Sequence, residues 1–183
     1  MKVLEAIKAG SKLLKEKNIS TYVLDSELLL SKCLKKPREE ILINLEQNIN
    51  EKVLVDFNDY LLRRSKKEPI AYLLGEKEFW SRKFFVNKDT LIPRPETELL
   101  VDKLVNIFKK KRMTILDIGT GTGCIIIRLL IELKNSNGMA VDISKEAITV
   151  AMKNADKFNL SDRIKFLHKP FKEFYGKKLD LIV

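Results

Sequence analysis

The sequence predicts an α/β chain: a helical part over residues 1–75, then the alternating strands and helices of an open parallel sheet. Three observations carry this. Apolar residues recur at helical spacing through residues 1–75. An aromatic, β-branched stretch at residues 78–86 then breaks that period. From Met113 onward, short aliphatic runs alternate with amphipathic segments, the pattern of a parallel sheet covered by helices on both faces.

Val3, Leu4, Ile7, Leu13 and Leu14 define a first helix running to Lys17. Ser20 or Thr21 is placed to cap a second, with Tyr22, Leu24, Leu28, Leu29 and Leu34, ending near Lys35. Pro37 suits the first position of a short third helix. Asn50 suits the cap of a fourth, with Val53, Leu54, Phe57, Leu61 and Leu62 on its apolar face. A last turn starts at Pro69, and Gly75 is expected to end it in the left-handed conformation. Residues 78–86 followed by Asn87-Lys88-Asp89 predict a β-hairpin whose second arm lies at residues 90–92. Pro95 and Glu96 open a helix whose end gathers lysines. Residues 113–118, 138–143, 164–167 and 179–183 read as strands, and residues 124–133 and 144–158 as helices. The closing stretch, Lys177 to Val183, looks like a buried strand getting under way.

Composition narrows the function. Hydrophobic residues make up 45%, enough for a core, and no apolar run approaches the length of a membrane span. The N-terminus lacks the continuous apolar stretch of a secretory signal. Two distant cysteines, Cys33 and Cys124, fit a reducing cytoplasm better than a disulfide framework. With His168 the one histidine, a common zinc site is not expected. The net charge of +10 is spread: 14 basic and 11 acidic side chains in residues 1–75, 21 and 14 in the rest. It permits a phosphate- or carboxylate-rich partner, but there is no Arg-rich stripe, and Lys outnumbers Arg 27 to 8.

The most informative motif is LDIGTGTGC, residues 116–124, between an expected strand and an expected helix. Gly119, Gly121 and Gly123 let the backbone turn tightly and approach a ligand, with the next helix pointing its N–H groups at it. The dinucleotide fingerprint fails, because its last glycine would fall on Cys124 or Ile126. The Gly-Lys-Ser/Thr of a P-loop is absent. What remains is Asp117-x-Gly119-x-Gly121-x-Gly123, the spacing of S-adenosylmethionine-dependent methyltransferases. Asp142, 19 residues after Gly123, is placed to accept hydrogen bonds from both ribose hydroxyls, and Asp117 to help hold the ammonium group. Thr120 and Thr122 complete the expected cofactor loop.

Residues 68–102 resemble the signature of the protein-glutamine N5-methyltransferases of peptide chain release factors, the family often called HemK or PrmC. The shared pieces are the Arg63-Arg64 pair, EPIAYLLG, the aromatic hairpin, LIPRPETE and LDIGTGTG, with PRPETE the most specific. The resemblance covers nearly the whole chain. It implies a helical release-factor-binding domain at residues 1–75 and a β-hairpin linker at 76–94. Residues 95–183 would be the first part of a Rossmann-like methyltransferase domain. The implied reaction moves a methyl group from S-adenosylmethionine to the side-chain amide nitrogen of the Gln in a Gly-Gly-Gln motif, in the cytoplasm and in the neighbourhood of the ribosome, with no metal and no membrane. In this family Ser-Asn-Pro-Pro-Tyr follows the fourth strand, and the Asn side chain and a proline carbonyl hold the substrate amide. Here Val183 is the last residue, so the chain reads as truncated, without a catalytic residue, inactive as it stands, and with its last strand an unpaired edge.

A second departure lies after the third strand. Pro170 stands where the family has an acid, and Phe171 where it has an aromatic. Phe171 is either an adenine-stacking residue or a plain core aromatic, and His168 reads as an incidental strand-end residue. Two other functions fit less of the sequence: a nucleic-acid amino-methyltransferase, which the charge favours, and a non-catalytic binding module formed by residues 1–75.

Overall fold

Val3, Ala6, Ile7, Gly10 and Leu14 recur at helical spacing, and they form the buried face of α1 (Val3–Glu16). Four more helices follow: α2 (Tyr22–Leu34), α3 (Arg38–Ile43), α4 (Glu51–Ser65) and α5 (Ile70–Leu74). The computed structural model describes residues 1–174 and 178–183. It divides into two units, Met1–Leu74 and Gly75–Val183. The first closes around Leu14, Leu29, Leu30, Ile41, Phe57, Leu61 and Leu73, each such side chain contributing about 1.5–3 kcal/mol by leaving water.

Local chemistry sets the helix ends. The Asn50 side chain accepts a hydrogen bond from the Val53 amide at 2.9 Å and so caps α4 as expected. Gly75 follows α5 at φ +76°. Two expectations change. Pro37 is the residue before α3, not its first helical position. Thr21 stands at the cap position of α2, but its hydroxyl donates to Asp25 at 2.8 Å instead of accepting from the helix backbone. Asp25 needs that donor because it is buried, and Arg64 Nε supplies a second at 2.7 Å. Arg64 also reaches the Glu68 carbonyl through Nη1 at 3.1 Å.

The second unit begins with a hairpin, β1 (Glu76–Phe79) and β2 (Arg82–Phe85), paired Glu76 to Phe85 and Phe79 to Arg82. This register corrects the expected hairpin. The turn is Trp80-Ser81, at φ 45° and 61°, the positive pair of a two-residue turn matched to strand twist. Asn87-Lys88-Asp89 does turn, with the Asp89 amide donating to Asn87 Oδ1 at 3.1 Å, but it lies beyond the hairpin, and residues 90–92 are not a strand. Burial overrides the turn signal: Phe79 and Phe84 on the two arms are fully buried, edge to face at 6.1 Å between ring centres.

After α6 (Pro95–Phe108) come β3 (Thr114–Ile118), α7 (Cys124–Glu132), β4 (Asn137–Asp142), α8 (Lys145–Lys157), β5 (Ile164–His168) and β6 (Leu181–Ile182). The strands form one parallel sheet in the order β5-β4-β3-β6. The chain leaves β3 toward β4 on one side and reaches β6 on the other, so the crevice at the carboxyl end of β3 is the switch point where open α/β sheets bind ligands. Ile115 and Ala140 share a core with residues of α6, α7 and α8. On the opposite face Leu116 and Val141 pack with Met139, Leu167 and Leu179. No helical residue belongs to that second cluster among the described residues, so helices line one face of the sheet, not both as expected. β6 is paired to β3 and forms one edge; Lys177 of the closing stretch lies outside the described residues.

The Asp25–Arg64 pair yields a stability prediction. Arg64→Ala leaves a buried carboxylate with Thr21 alone and should destabilise the chain by roughly 3 kcal/mol. Arg63→Ala breaks the more exposed pair with Glu68 and a contact over the Tyr60 ring and should stay within about 1 kcal/mol. Urea unfolding followed by circular dichroism measures both.

Candidate functional site

β3 ends at Ile118, and the five residues 119–123 carry the chain to the first turn of α7. The loop is stretched across the end of the neighbouring strand: the Gly119 and Thr120 amides both donate to the Val141 carbonyl, at 2.8 and 3.0 Å. The Gly123 amide donates to the Thr120 carbonyl at 2.8 Å and closes the turn. All three glycines have positive φ: 73°, 53° and 76° at 119, 121 and 123. Their missing side chains do different things. A Cβ on Gly119 would meet nothing within 4 Å, and one on Gly121 only the Gly119 carbonyl at 3.9 Å. One on Gly123 would meet Ile127 at 3.0 Å and Ala151 Cβ at 3.2 Å. The first two thus keep backbone bare toward open space, and the third lets α8 approach the loop.

Asp142 ends β4, and its carboxylate spans the site. Oδ2 accepts from the Gly121 amide at 3.0 Å, and Oδ1 from the Ser144 amide at 3.0 Å. Ser144 in turn caps α8, its Oγ accepting from the Ala147 amide at 3.0 Å. A half-buried carboxylate held by two amides keeps lone pairs for a ligand's hydroxyls. Ile143, the next residue, is 78% exposed. The Ile143 carbonyl lies 3.0 Å from His168 Nε2, which gives the strand-end histidine a backbone partner. The Lys169 amide donates to the Asp142 carbonyl at 3.1 Å, starting the segment that leads to Phe171. Phe171 begins a 3-10 turn, Phe171–Phe174, with 54% of its surface exposed, so it is not a core aromatic.

Asp117 lies beneath the loop, 2% exposed. The Thr120 hydroxyl donates to its Oδ2 at 2.7 Å. Burial pushes its carboxyl up to about 6, aided by the Asp142 charge and opposed by the Thr120 hydroxyl and the Ile126 backbone. Burial also pushes the thiols of Cys124 and Cys33 up to about 11, which keeps both protonated and poor nucleophiles at neutral pH. Thr120 and Thr122 are buried in the loop.

Two residues here carried no signal in the sequence reading. Ile143 offers an apolar wall beside Asp142, visible only as one aliphatic letter after an acid. Asn154, in the last turn of α8 and fully buried, has its amide group used on both sides. Its Nδ2 donates to the Thr122 carbonyl at 2.9 Å and the Phe85 carbonyl at 3.0 Å, and its Oδ1 accepts from the Phe85 amide at 2.7 Å. An Asn in a helix reads as neutral surface unless its tertiary partners are known.

Comparison with known proteins places these features. Residues 5–75 match the PrmC N-terminal domain and residues 109–183 a methyltransferase domain. A bifunctional methyltransferase of Rickettsia felis is 40% identical, covering 99% of this chain and 40% of its own length. A release factor glutamine methyltransferase of Leptospira interrogans is 42% identical, covering 84% and 54%, and one of Caulobacter vibrioides 33%, covering 99% and 63%. The chain thus spans between about two fifths and about three fifths of the length of these relatives. A crystal structure of a Pyrococcus horikoshii protein assigned as a transferase superposes with a TM-score of 0.50 at 13% identity, over 58% of this chain and 40% of that one, and shares the fold. The methyltransferase-domain match lies within the second unit, and the cradle there fits S-adenosylmethionine: bare backbone at Gly119 and Gly121, a carboxylate at Asp142 fixed by two amides, and a second acid below. Among the described residues no group of three or more His, Cys, Asp and Glu gathers to hold a metal, and no helix is long and apolar enough to cross a membrane.

The raised carboxyl of Asp117 has a pH signature. Its folded value lies above the ordinary 3.8, so the folded state favours the protonated acid. Stability from this group is full below about pH 4 and is lost as pH rises through 6. Asp117→Asn mimics the protonated form. It should therefore gain on the wild type as pH rises from about 4 to 6 and hold that gap above, by on the order of 3 kcal/mol. Thermal melts across that range measure the gap.

Proposed function

We propose that this chain, whose residues 5–75 match the PrmC N-terminal domain and residues 109–183 a methyltransferase domain, serves the N5-methylation of glutamine in the Gly-Gly-Gln motif of peptide chain release factors. The observation that carries the donor half is the Asp142 carboxylate bound to the Gly121 amide at 3.0 Å beside bare backbone. S-adenosylmethionine supplies an electrophilic methyl on a sulfonium. Asp142 accepts the two ribose hydroxyls with the lone pairs that its amide partners leave. Gly119 and Gly121 admit the methionine end against backbone, and Asp117 attracts its ammonium from beneath the loop. Gly123, Thr120 and Thr122 shape the turn. Ile143 and Phe171 flank the base, Phe171 without the acid that the resemblance implies before it.

The acceptor half rests on the family. An amide nitrogen is a poor nucleophile because its lone pair is shared with the carbonyl, so the protein has to hold it in line with the S–CH₃ bond. Such orientation contributes up to about 7–11 kcal/mol in favourable cases. The resemblance assigns this to an Asn-Pro-Pro-Tyr segment after the fourth strand, which is not among residues 1–183. The Ile118 amide donates to the Val183 carbonyl at 3.0 Å, and the Val183 amide to the Leu116 carbonyl at 2.9 Å. A segment leaving β6 there starts beside the glycine loop. Residues 1–75 are the release-factor-binding domain in this reading, residues 76–94 the linker and residues 95–183 the donor-binding part, in a cytoplasmic protein.

Calorimetry with S-adenosylmethionine tests the donor site. The 183-residue chain should bind, and Asp142→Ala should weaken binding roughly 10- to 100-fold, the effect of losing hydrogen bonds to a charged acceptor. Labelled-methyl assays on a release factor and on RNA test the acceptor. The chain by itself should transfer to neither. A version extended through Asn-Pro-Pro-Tyr and the rest of the domain should label the release factor, and labelling of RNA instead would move the protein to the nucleic-acid class.

A further inference from the structure

The hairpin and the glycine loop are distant in sequence, yet one side chain bonds the backbone of both. Asn154 Nδ2 divides its two hydrogens between Thr122, in the loop, and Phe85, on β2, while Oδ1 takes the Phe85 amide. The approach that permits this is built in. Ala151, one turn earlier on α8, lies against the bare Cα of Gly123, and any side chain at 123 would hold the helix off. The rest of the hairpin contact is of another kind. Phe84 packs on Phe158 at 5.0 Å between ring centres, Lys153 lies over the Phe85 ring at 3.6 Å, and Lys157 Nζ donates to the Lys83 carbonyl at 2.6 Å. All of these hold the hairpin to α8, but none reaches the loop. Asn154 alone among them bonds both.

We propose that Asn154 is a positioning residue that couples the hairpin to the donor loop, so that filling the loop and docking the hairpin reinforce each other. The inference rests on the reading that residues 119–123 hold S-adenosylmethionine. Three hydrogen bonds from one rigid amide, fully out of water, define Thr122 relative to Phe85. A ligand that orders the loop at Gly121 and Thr122 orders the Asn154 amide, and with it the Phe85 backbone. By reciprocity, loosening the hairpin weakens the donor.

The test uses the full 183-residue chain and S-adenosylmethionine as the probe. In the wild type, saturating donor should slow hydrogen exchange at the Phe85 amide, whose partner is Asn154 Oδ1. Asn154→Asp keeps the shape but loses both N–H donors and sets a carboxylate against two carbonyls. It should weaken the donor about tenfold, within the usual range of coupling between sites, and abolish the donor-dependent slowing at Phe85. Lys157→Ala removes one exposed contact to the hairpin but leaves the three Asn154 hydrogen bonds in place, so it should bind within twofold of wild type, as roughly expected of a surface change. If the wild type binds no donor, the reading of the loop falls and the coupling with it. If it binds while Phe85 exchange stays unchanged, the coupling alone is overturned, and this wild-type measurement decides the matter even where Asn154→Asp fails to fold. Donor affinity in a folded Asn154→Asp equal to that of wild type overturns it equally.

Discussion

The second unit depends on a backbone loop tied down over the end of a strand it does not belong to. Residues 119–123 leave β3, but their amides are bound by the end of β4, two by the Val141 carbonyl and one by the Asp142 carboxylate. The loop therefore takes its shape from the neighbouring strand, and Asp142 cannot shift without moving it. That is preorganisation: the Asp142 carboxylate and the bare backbone beside it are set relative to one another before any ligand arrives, so little ordering remains to be done on binding.

The electrostatics of this cradle run against those of the chain as a whole. The sequence is +10, yet the two groups that define the site are carboxylates, one half-exposed and one buried. Burial raises the Asp117 carboxyl to about 6, so above neutral pH that acid is charged even beneath the loop. A site of that sign suits a ligand carrying an ammonium and a sulfonium, and it repels the phosphates that most glycine-rich strand-to-helix turns receive. The overall positive charge is a property of a lysine-rich surface and says nothing about this crevice.

The hairpin shows how packing overrules local preference. Trp80 and Ser81 occupy the left-handed region, which costs about 1–2 kcal/mol for each ordinary residue. Burial of Phe79 and Phe84 offsets that, and Trp80 gains a guanidinium, Arg128, 4.4 Å from its ring centre. Arg128 Nε and Nη1 have no hydrogen-bond partner among the described residues, so the ring face is part of what replaces water there. The hairpin thus belongs to the same core as the sheet and α6 to α8, which gives the Asn154 clamp a firm element to hold.

Much of this was readable from the letters. The helical periods of residues 1–75, the Asn50 cap, the left-handed Gly75 and the strand-loop-helix order around Gly119 follow from interactions between residues close in sequence, which a local pattern records. The same pattern singled out Asp142, because a strand end after a glycine loop is a position that topology fixes. Other features required the tertiary structure. The hairpin turn moved from Asn87-Lys88-Asp89 to Trp80-Ser81 because buried phenylalanines chose the register. Among the described residues the helices line one face of the sheet, because which face a helix covers depends on crossovers and not on its own period. Thr21 turned from a cap into a partner for Asp25, and Asn154 turned from a neutral helical letter into a bond between two distant backbones. Composition and spacing determine which elements form, since those forces act within a few residues. The partners of buried polar groups are decided only when remote segments meet, since a desolvated donor or acceptor takes whatever the fold brings to it.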